Sequence, residues 1–132
     1  MKTCKNCNNN LSSQKRTYCS TNCQNIYQRK EYIIKWKKGE VTGIVGKKVF
    51  ELSDKIRTYL FEINNNKCSN CGWGEINPTT NKVPLQIDHI DGDWQNCSEN
   101  NLKLLCPNCH SLTPTYMGLN KGKGRSFRYQ SK

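Results

Sequence analysis

The sequence predicts a small α+β fold that a hydrophobic core alone cannot stabilise, and three observations support this. The chain has 132 residues, which is enough for one or two small domains. Only 34% of the residues are hydrophobic, and a core built from so few apolar side chains would be marginal at this size. Segments with helical and with strand character both occur, and nine cysteines are distributed among them. Bonds made by cysteine are therefore the expected source of additional stability.

Eight of the cysteines form two sets with the spacing of zinc sites. Residues 1–30 contain no apolar core of a signal peptide, and the chain has no run of about 18 apolar residues. We therefore expect an intracellular protein that spans no membrane, whose reduced thiols bind metal instead of forming disulfides. The sets are Cys4, Cys7, Cys19 and Cys23, and Cys68, Cys71, Cys106 and Cys109. The predicted class is thus a small α+β zinc-stabilised protein with two structural Zn²⁺ ions. Cys97, in a polar loop, is interpreted as a bystander.

The first module is predicted to be a zinc finger followed by a basic helix. The insert NNNLSSQKRTY between its cysteine pairs is polar and turn-forming, as expected of a loop held by a metal ion. Ser20 can cap a helix that starts near Cys23, continues through QNIYQRKEYIIKWKK and stops at Gly39. The residues expected to face inward are Ile26, Ile33 and Trp36. The residues expected to supply positive charge are Arg29, Lys30, Lys35, Lys37 and Lys38.

A linker and a second helix follow. Residues 39–52, which open with the glycine-containing stretch GEVTGIVGKKVF, are predicted to be the linker. Ser53 and Asp54 favour the start of a helix of about three turns. The apolar residues at helical spacing are Ile56, Tyr59, Leu60 and Ile63. The expected domains are a finger with its helix at 1–38, a second domain at 53–120 and a basic tail at 121–132.

The second domain is expected to combine two short strands with a helix. VPLQIDHI and LKLLC have strand character, and the polar loop DGDWQNCSENN joins them. Pro107 suits the first turn of a helix that carries His110 and breaks near Pro114. Four thiolates leave zinc no open position, so we expect the metal in this domain to be structural and to fix the geometry of nearby side chains.

Asp88 and His89 are neighbours in the first of these strands, where regular alternation would direct them to opposite faces. A carboxylate is a hard ligand suited to Mg²⁺ or Mn²⁺, and His110 from the facing helix could be the second ligand. A neutral imidazole such as that of His89 can accept a proton near neutral pH. A metal that polarises a phosphoryl oxygen and a base that activates water are the requirements of phosphate-ester hydrolysis.

The stretches IDHIDGD and NNLKLLCPNCH, with the cysteine pairs around them, resemble the HNH endonuclease family. The specific match covers residues 68–110, and the cysteine-rich front end is similar to small HNH proteins of phages and mobile elements. The resemblance implies a C-terminal ββα-metal motif that follows an N-terminal zinc finger and connecting helices. It also implies DNA as the substrate and a catalytic Mg²⁺ or Mn²⁺ ion.

The resemblance implies a role for each of several residues of this chain. The resemblance implies that Asp88 and His110 bind the catalytic metal and that His89 is the general base. Asn101 would hold the loop that bears His89 through a backbone hydrogen bond, with Asn100 as the alternative residue for this role. Some family members carry a further His one turn after the last one, where this chain has a proline. The metal would then have two protein ligands, with water and phosphate completing its shell, and Asn120 is a weaker candidate ligand.

The charge of the chain favours a polyanionic partner. Its formal net charge is +11, and two tetrathiolate zinc sites would lower it to about +7. Such a surplus in a small protein is typical of nucleic-acid binding, but charge alone fits a soluble, self-repelling surface about equally well. Residues of the tail that could follow a DNA backbone are Lys121, Lys123, Arg125 and Arg128, although a charged tail can also be a solvated end.

Together these observations predict a metal-dependent HNH DNA endonuclease that hydrolyses phosphodiester bonds in double-stranded DNA. Because one active site cuts one strand, a monomer would nick DNA, and double-strand cleavage would need a DNA-induced dimer or two visits. The alternative from another class is a non-catalytic zinc-finger DNA-binding protein. RNA is a further possible substrate.

Overall fold

The computed structural model describes residues 2–120, and the chain divides between Val41 and Thr42 into two compact units. The first unit is a cysteine-rich loop followed by helix α1, Thr21–Lys37. Ser20 caps the helix because its hydroxyl accepts a hydrogen bond from the backbone N–H of Cys23 at 3.1 Å. The helix ends before Gly39, whose positive φ of 79° terminates it as the sequence predicted.

One side of α1 is buried and the other side is charged. Ile33 and Trp36 are buried, as predicted, and Ile26 is half-buried. Lys30, Lys35, Lys37 and Lys38 are exposed, and Arg29 is half-buried. The basic residues expected on this helix therefore lie mainly on its solvent-facing side.

The second unit begins with a short antiparallel ladder where the sequence predicted a linker. Strand β1, Ile44–Val45, pairs with β2, Glu51–Leu52. Gly46 lies in the connecting turn with a φ of 108°, and a Cβ at this position would collide with the backbone carbonyl of Val49. The ladder buries Leu52, which gives this glycine-containing stretch a structural role that its composition did not indicate.

Helix α2, Asp54–Ile63, follows directly and is capped by the hydroxyl of Ser53. Ile56 and Leu60 are buried on one face of the helix, as the apolar spacing predicted. The hydroxyl of Tyr59 donates a hydrogen bond to Glu99 at 2.9 Å, which ties α2 to the loop before the last strand.

The rest of the unit is an antiparallel hairpin followed by a helix. Strand β3, Gln86–His89, pairs with β4, Leu102–Leu105, and α3 is Pro107–Ser111. These elements confirm the two strands and the proline-initiated helix that the sequence predicted. The core beneath them consists of Leu85, Leu104 and Leu105 with two zinc-set cysteines, and Phe61, Trp73, Val83 and Ile87 pack against it. This small core accounts for the low hydrophobic content of the chain.

A separate surface loop lies between α2 and β3. Residues 75–82 are all exposed, and the loop is closed by its own hydrogen bonds. The backbone N–H of Asn77 donates to the carbonyl of Lys82 at 2.9 Å, and the side-chain oxygen of Asn77 accepts from the N–H of Thr79 at 2.8 Å.

No helix within residues 2–120 combines the length and the apolar character needed to cross a lipid bilayer.

Candidate functional site

The four cysteine side chains of each predicted zinc set lie close together. Within each set the four sulfur atoms lie within 4.8 Å of one another, and every cysteine of the chain is a free thiol. In the second set, Cys68 follows α2, while Cys106 and Cys109 lie at the start of α3. The backbone N–H of Ser69 donates to the carbonyl of Leu104 at 2.8 Å, which joins the first pair of cysteines to β4.

The chemistry of these thiols fits a divalent cation. Burial raises the pKa of the Cys68 thiol. Backbone N–H groups, including those of Cys71 and Cys106, lower the pKa by a larger amount, to about 6. The N–H of Trp73 lowers the pKa of Cys71, whereas desolvation and the sulfur atoms of the other three cysteines raise it to about 12. Four thiolates this close repel one another unless a cation compensates their charge. The cluster could therefore hold zinc.

The first cluster has the same electrostatic pattern. Burial raises the pKa of Cys4, but backbone N–H groups of Cys7 and Cys19 lower the pKa by a larger amount, to about 6. Contacts with the sulfur atoms of Cys23 and Cys7 raise the pKa of Cys19 to about 12. Two closed four-cysteine clusters are thus present, as the sequence predicted, and either could hold a structural zinc ion.

The polar residues of the second unit surround a groove with a volume of about 570 Å³. Asp88 and His89 from β3 and His110 from α3 line it, together with Asn120. Asp88 is only 9% exposed, and its Oδ1 atom lies 3.9 Å from Nε2 of His110. The structure therefore brings together the carboxylate and both imidazoles that the sequence singled out.

Burial has an electrostatic consequence for the carboxylate. Desolvation raises the pKa of Asp88, and the charges of His110, His89 and Lys103 oppose that rise. A buried carboxylate favours a positive partner, and a divalent cation could supply that charge. The ring of His110 packs edge-on against Tyr116 at a centroid distance of 5.2 Å, which limits its rotation.

Asp88 and His89 line the same groove, although regular strand alternation predicted opposite faces. The reason lies in the length of β3, because His89 is its last residue. The chain turns immediately afterwards, and the N–H of Gly92 donates to the carbonyl of His89 at 2.8 Å. Alternation applies to a continuing strand, and this one ends at the site.

Asn101 connects the two ends of the loop between the strands. It is 8% exposed, and its Oδ1 accepts from the backbone N–H of Asp91 at 3.0 Å. Its Nδ2 donates to Oδ1 of Asp91 and to the carbonyl of Asn96, both at 2.8 Å. Asn100, the alternative considered from the sequence, is exposed. Asn101 thus holds the loop that follows His89.

Two contacts at the groove or beside it were not anticipated. Cys97, interpreted from the sequence as a bystander, is 3% exposed, and its sulfur lies 3.5 Å from Nε2 of His89. Asn120 donates to the carbonyl of Gly92 at 2.8 Å. Gly92 has a φ of 77°, and a Cβ there would collide with the side chain of Asn120, so this position favours glycine. No local pattern in the sequence indicated the contact made by Cys97.

The basic residues proposed to contact DNA fall into two groups. Five lie on α1 in the first unit or directly after it: Arg29, Lys30, Lys35, Lys37 and Lys38. The four in the tail, Lys121, Lys123, Arg125 and Arg128, lie outside the described residues.

Comparison with curated proteins finds a relative, the H-N-H endonuclease F-TflIV of Escherichia phage T5, which is 46% identical over 60 residues. The match covers 43% of this chain and 24% of the phage protein, so the chain spans about a quarter of that relative's length. No protein-family model matches the chain, and no solved structure matches it. The similarity to an HNH endonuclease confirms the resemblance predicted from the sequence.

Proposed function

We propose that this protein is a metal-dependent HNH endonuclease that hydrolyses phosphodiester bonds of double-stranded DNA inside the cell. The observation that carries the proposal is the convergence of Asp88, His89 and His110 on one groove, beside a four-cysteine cluster. The similarity to a phage protein named as an H-N-H endonuclease supports it. In this proposal residues 53–120 form the nuclease domain, and residues 1–38 form a zinc finger that binds DNA.

Asp88 and His110 would hold the catalytic Mg²⁺ or Mn²⁺ ion. Oδ1 of Asp88 and Nε2 of His110 lie 3.9 Å apart, so both side chains could face the same ion. When bound, the ion would stabilise negative charge on the phosphoryl oxygens and on the departing 3′ oxygen. Asn120 borders the same groove and is a further candidate ligand.

His89 would act as the general base on a water molecule. It accepts a proton while the water oxygen forms a new bond to phosphorus. The bond between phosphorus and the 3′ oxygen breaks, and that oxygen takes a proton from solvent. The products are a 5′-phosphate and a 3′-hydroxyl. Asn101 contributes by holding the loop after His89, which keeps the imidazole beside the groove.

The proposal predicts that the purified protein nicks supercoiled plasmid DNA in the presence of Mg²⁺ or Mn²⁺. Removal of the weakly bound catalytic ion by EDTA should stop the reaction, because only two side chains hold that ion. Gel electrophoresis of plasmid with each metal, and with EDTA, checks this and separates nicked from linear products. Retained plasmid binding without nicking under every metal condition would overturn the proposal in favour of the non-catalytic zinc-finger DNA-binding protein.

The basic face of α1 is proposed to bind the DNA backbone. Lys30 and Lys35 are exposed there, and removing one lysine–phosphate ion pair should reduce the salt dependence of the affinity by about 0.9 in a log–log plot. The Lys30→Ala/Lys35→Ala variant is therefore expected to bind duplex DNA more weakly at low salt, with a slope reduced by about 2. Fluorescence anisotropy across a salt series measures both.

The exposed neutral residue Gln28 on the same helix provides a matched control. The Gln28→Ala variant should keep the parent slope and affinity. A double lysine variant with the parent's slope would rule out phosphate binding by this face.

A further inference from the structure

The thiol of Cys97 lies beside the proposed general base and belongs to neither four-cysteine cluster. It is 3% exposed, so solvent does not satisfy it. Its sulfur lies 3.5 Å from Nε2 of His89 and 3.3 Å from the backbone carbonyl oxygen of Trp94. The sulfur of Cys97 therefore has two polar neighbours, and one of them is the imidazole of His89, which lines the groove.

Only one arrangement of protons makes both contacts hydrogen bonds at the same time. The carbonyl oxygen of Trp94 can only accept a hydrogen bond, and a thiol carries one proton. When the Cys97 S–H group donates to that carbonyl, the sulfur presents a lone pair to His89. The compatible partner is a protonated Nε2 that donates to the sulfur. The proton-accepting lone pair of a neutral His89 ring is then on Nδ1.

The loop that carries the thiol is held in place on both sides. The carboxylate of Asp91 accepts three hydrogen bonds of 2.8 Å, from the N–H of Asp93 and from the side-chain amides of Asn96 and Asn101. These bonds fix the backbone of the segment that ends at Cys97. The position of the sulfur relative to His89 is thus set by a polar network and not by the thiol alone.

We propose that Cys97 is a positioning residue whose thiol fixes the orientation and the tautomer of His89, so that Nδ1 is the nitrogen available to accept a proton. Its effect on turnover rests on the proposed nuclease function. Its effect on the imidazole does not, because the tautomer is a property of the protein without DNA.

The experiment compares Cys97→Ala, Cys97→Ser and Gln95→Ala in the full-length protein. Gln95 is an exposed residue of the same loop and provides the control. Imidazole ¹⁵N chemical shifts, recorded at a pH where the ring is neutral, should show a protonated Nε2 in the parent, in Gln95→Ala and in Cys97→Ser, because serine also donates and accepts. Cys97→Ala should show a mixture of both tautomers.

The kinetic measurement is plasmid nicking at saturating and limiting DNA. Loss of base orientation should lower kcat by about tenfold in Cys97→Ala, with KM unchanged. Cys97→Ser should retain most of the parent's kcat.

Two results would overturn the inference: a parent protein whose His89 carries its proton on Nδ1, or a folded Cys97→Ala variant with the parent's tautomer and kcat. If Cys97→Ala does not fold, the tautomer of His89 in the parent protein decides whether the inference stands. If the parent does not nick DNA, the proposed function fails, and the ¹⁵N shifts still decide the role of Cys97.

Discussion

Replacing His89 by Ala is expected to lower the rate of plasmid nicking by about 10²- to 10⁴-fold, which is the usual contribution of a general base. DNA binding should be unaffected, because His89 is proposed to act on water and not to hold the metal ion or the phosphate backbone. The measurement is the initial nicking rate at saturating DNA with Mn²⁺, together with fluorescence anisotropy on a duplex.

The His89→Ala variant must also be shown to fold, because a hydrogen-bond network holds the loop next to His89 and the substitution could disturb it. The Gln95→Ala variant, altered at an exposed position in that loop, should nick at the parent's rate. Near-ultraviolet circular dichroism should be the same for both variants and the parent. A folded His89→Ala variant that nicks as fast as the parent would remove His89 from the mechanism.

Replacing Cys106 by Ser is expected to prevent the second unit from folding. Cys106 joins β4 to α3, and its sulfur accepts from the N–H of Cys109 at 3.4 Å while its carbonyl accepts from the N–H of His110 at 2.9 Å. A structural zinc site contributes about 10–16 kcal/mol of apparent binding free energy. The total stability of a typical domain is about 5–15 kcal/mol, so this unit should not fold if its cluster cannot hold zinc.

Zinc content by native mass spectrometry and backbone NMR spectra check this outcome. The variant should lose one of two zinc ions, and only signals of the second unit should collapse to unfolded shifts. Cys97→Ser is the matched control, since it also changes a buried cysteine but should keep both ions. A Cys106→Ser protein with dispersed second-unit signals would show that the cluster does not stabilise this fold.

The elements that local sequence patterns specify were predicted well. Ser20 before α1, Ser53 before α2 and Pro107 at the start of α3 are short-range signals, and each helix begins where its signal stands. The cysteine spacings likewise predicted two clusters that the structure contains. These features depend on neighbours along the chain or on ligand chemistry that a single ion imposes.

Features that depend on loop shape were not predictable in the same way. The contact between Cys97 and His89 arises because the loop folds back over the end of β3, and that path is set by the carboxylate of Asp91. The ladder of β1 and β2 has only two residue pairs, too few for a period to be visible in the sequence. A short strand also explains why Asp88 and His89 share one groove.

The exposed loop at residues 75–82 has a practical consequence. It lies between Cys71 and β3, it is closed by the hydrogen bonds of Asn77, and none of its residues lines the groove. Lengthening a surface loop weakens a fold only slowly, by about 0.6 kcal/mol for each doubling. A fluorophore or an affinity tag introduced at Thr79 should therefore leave the fold and the groove unchanged. This loop is a suitable position for labelling or immobilising the protein.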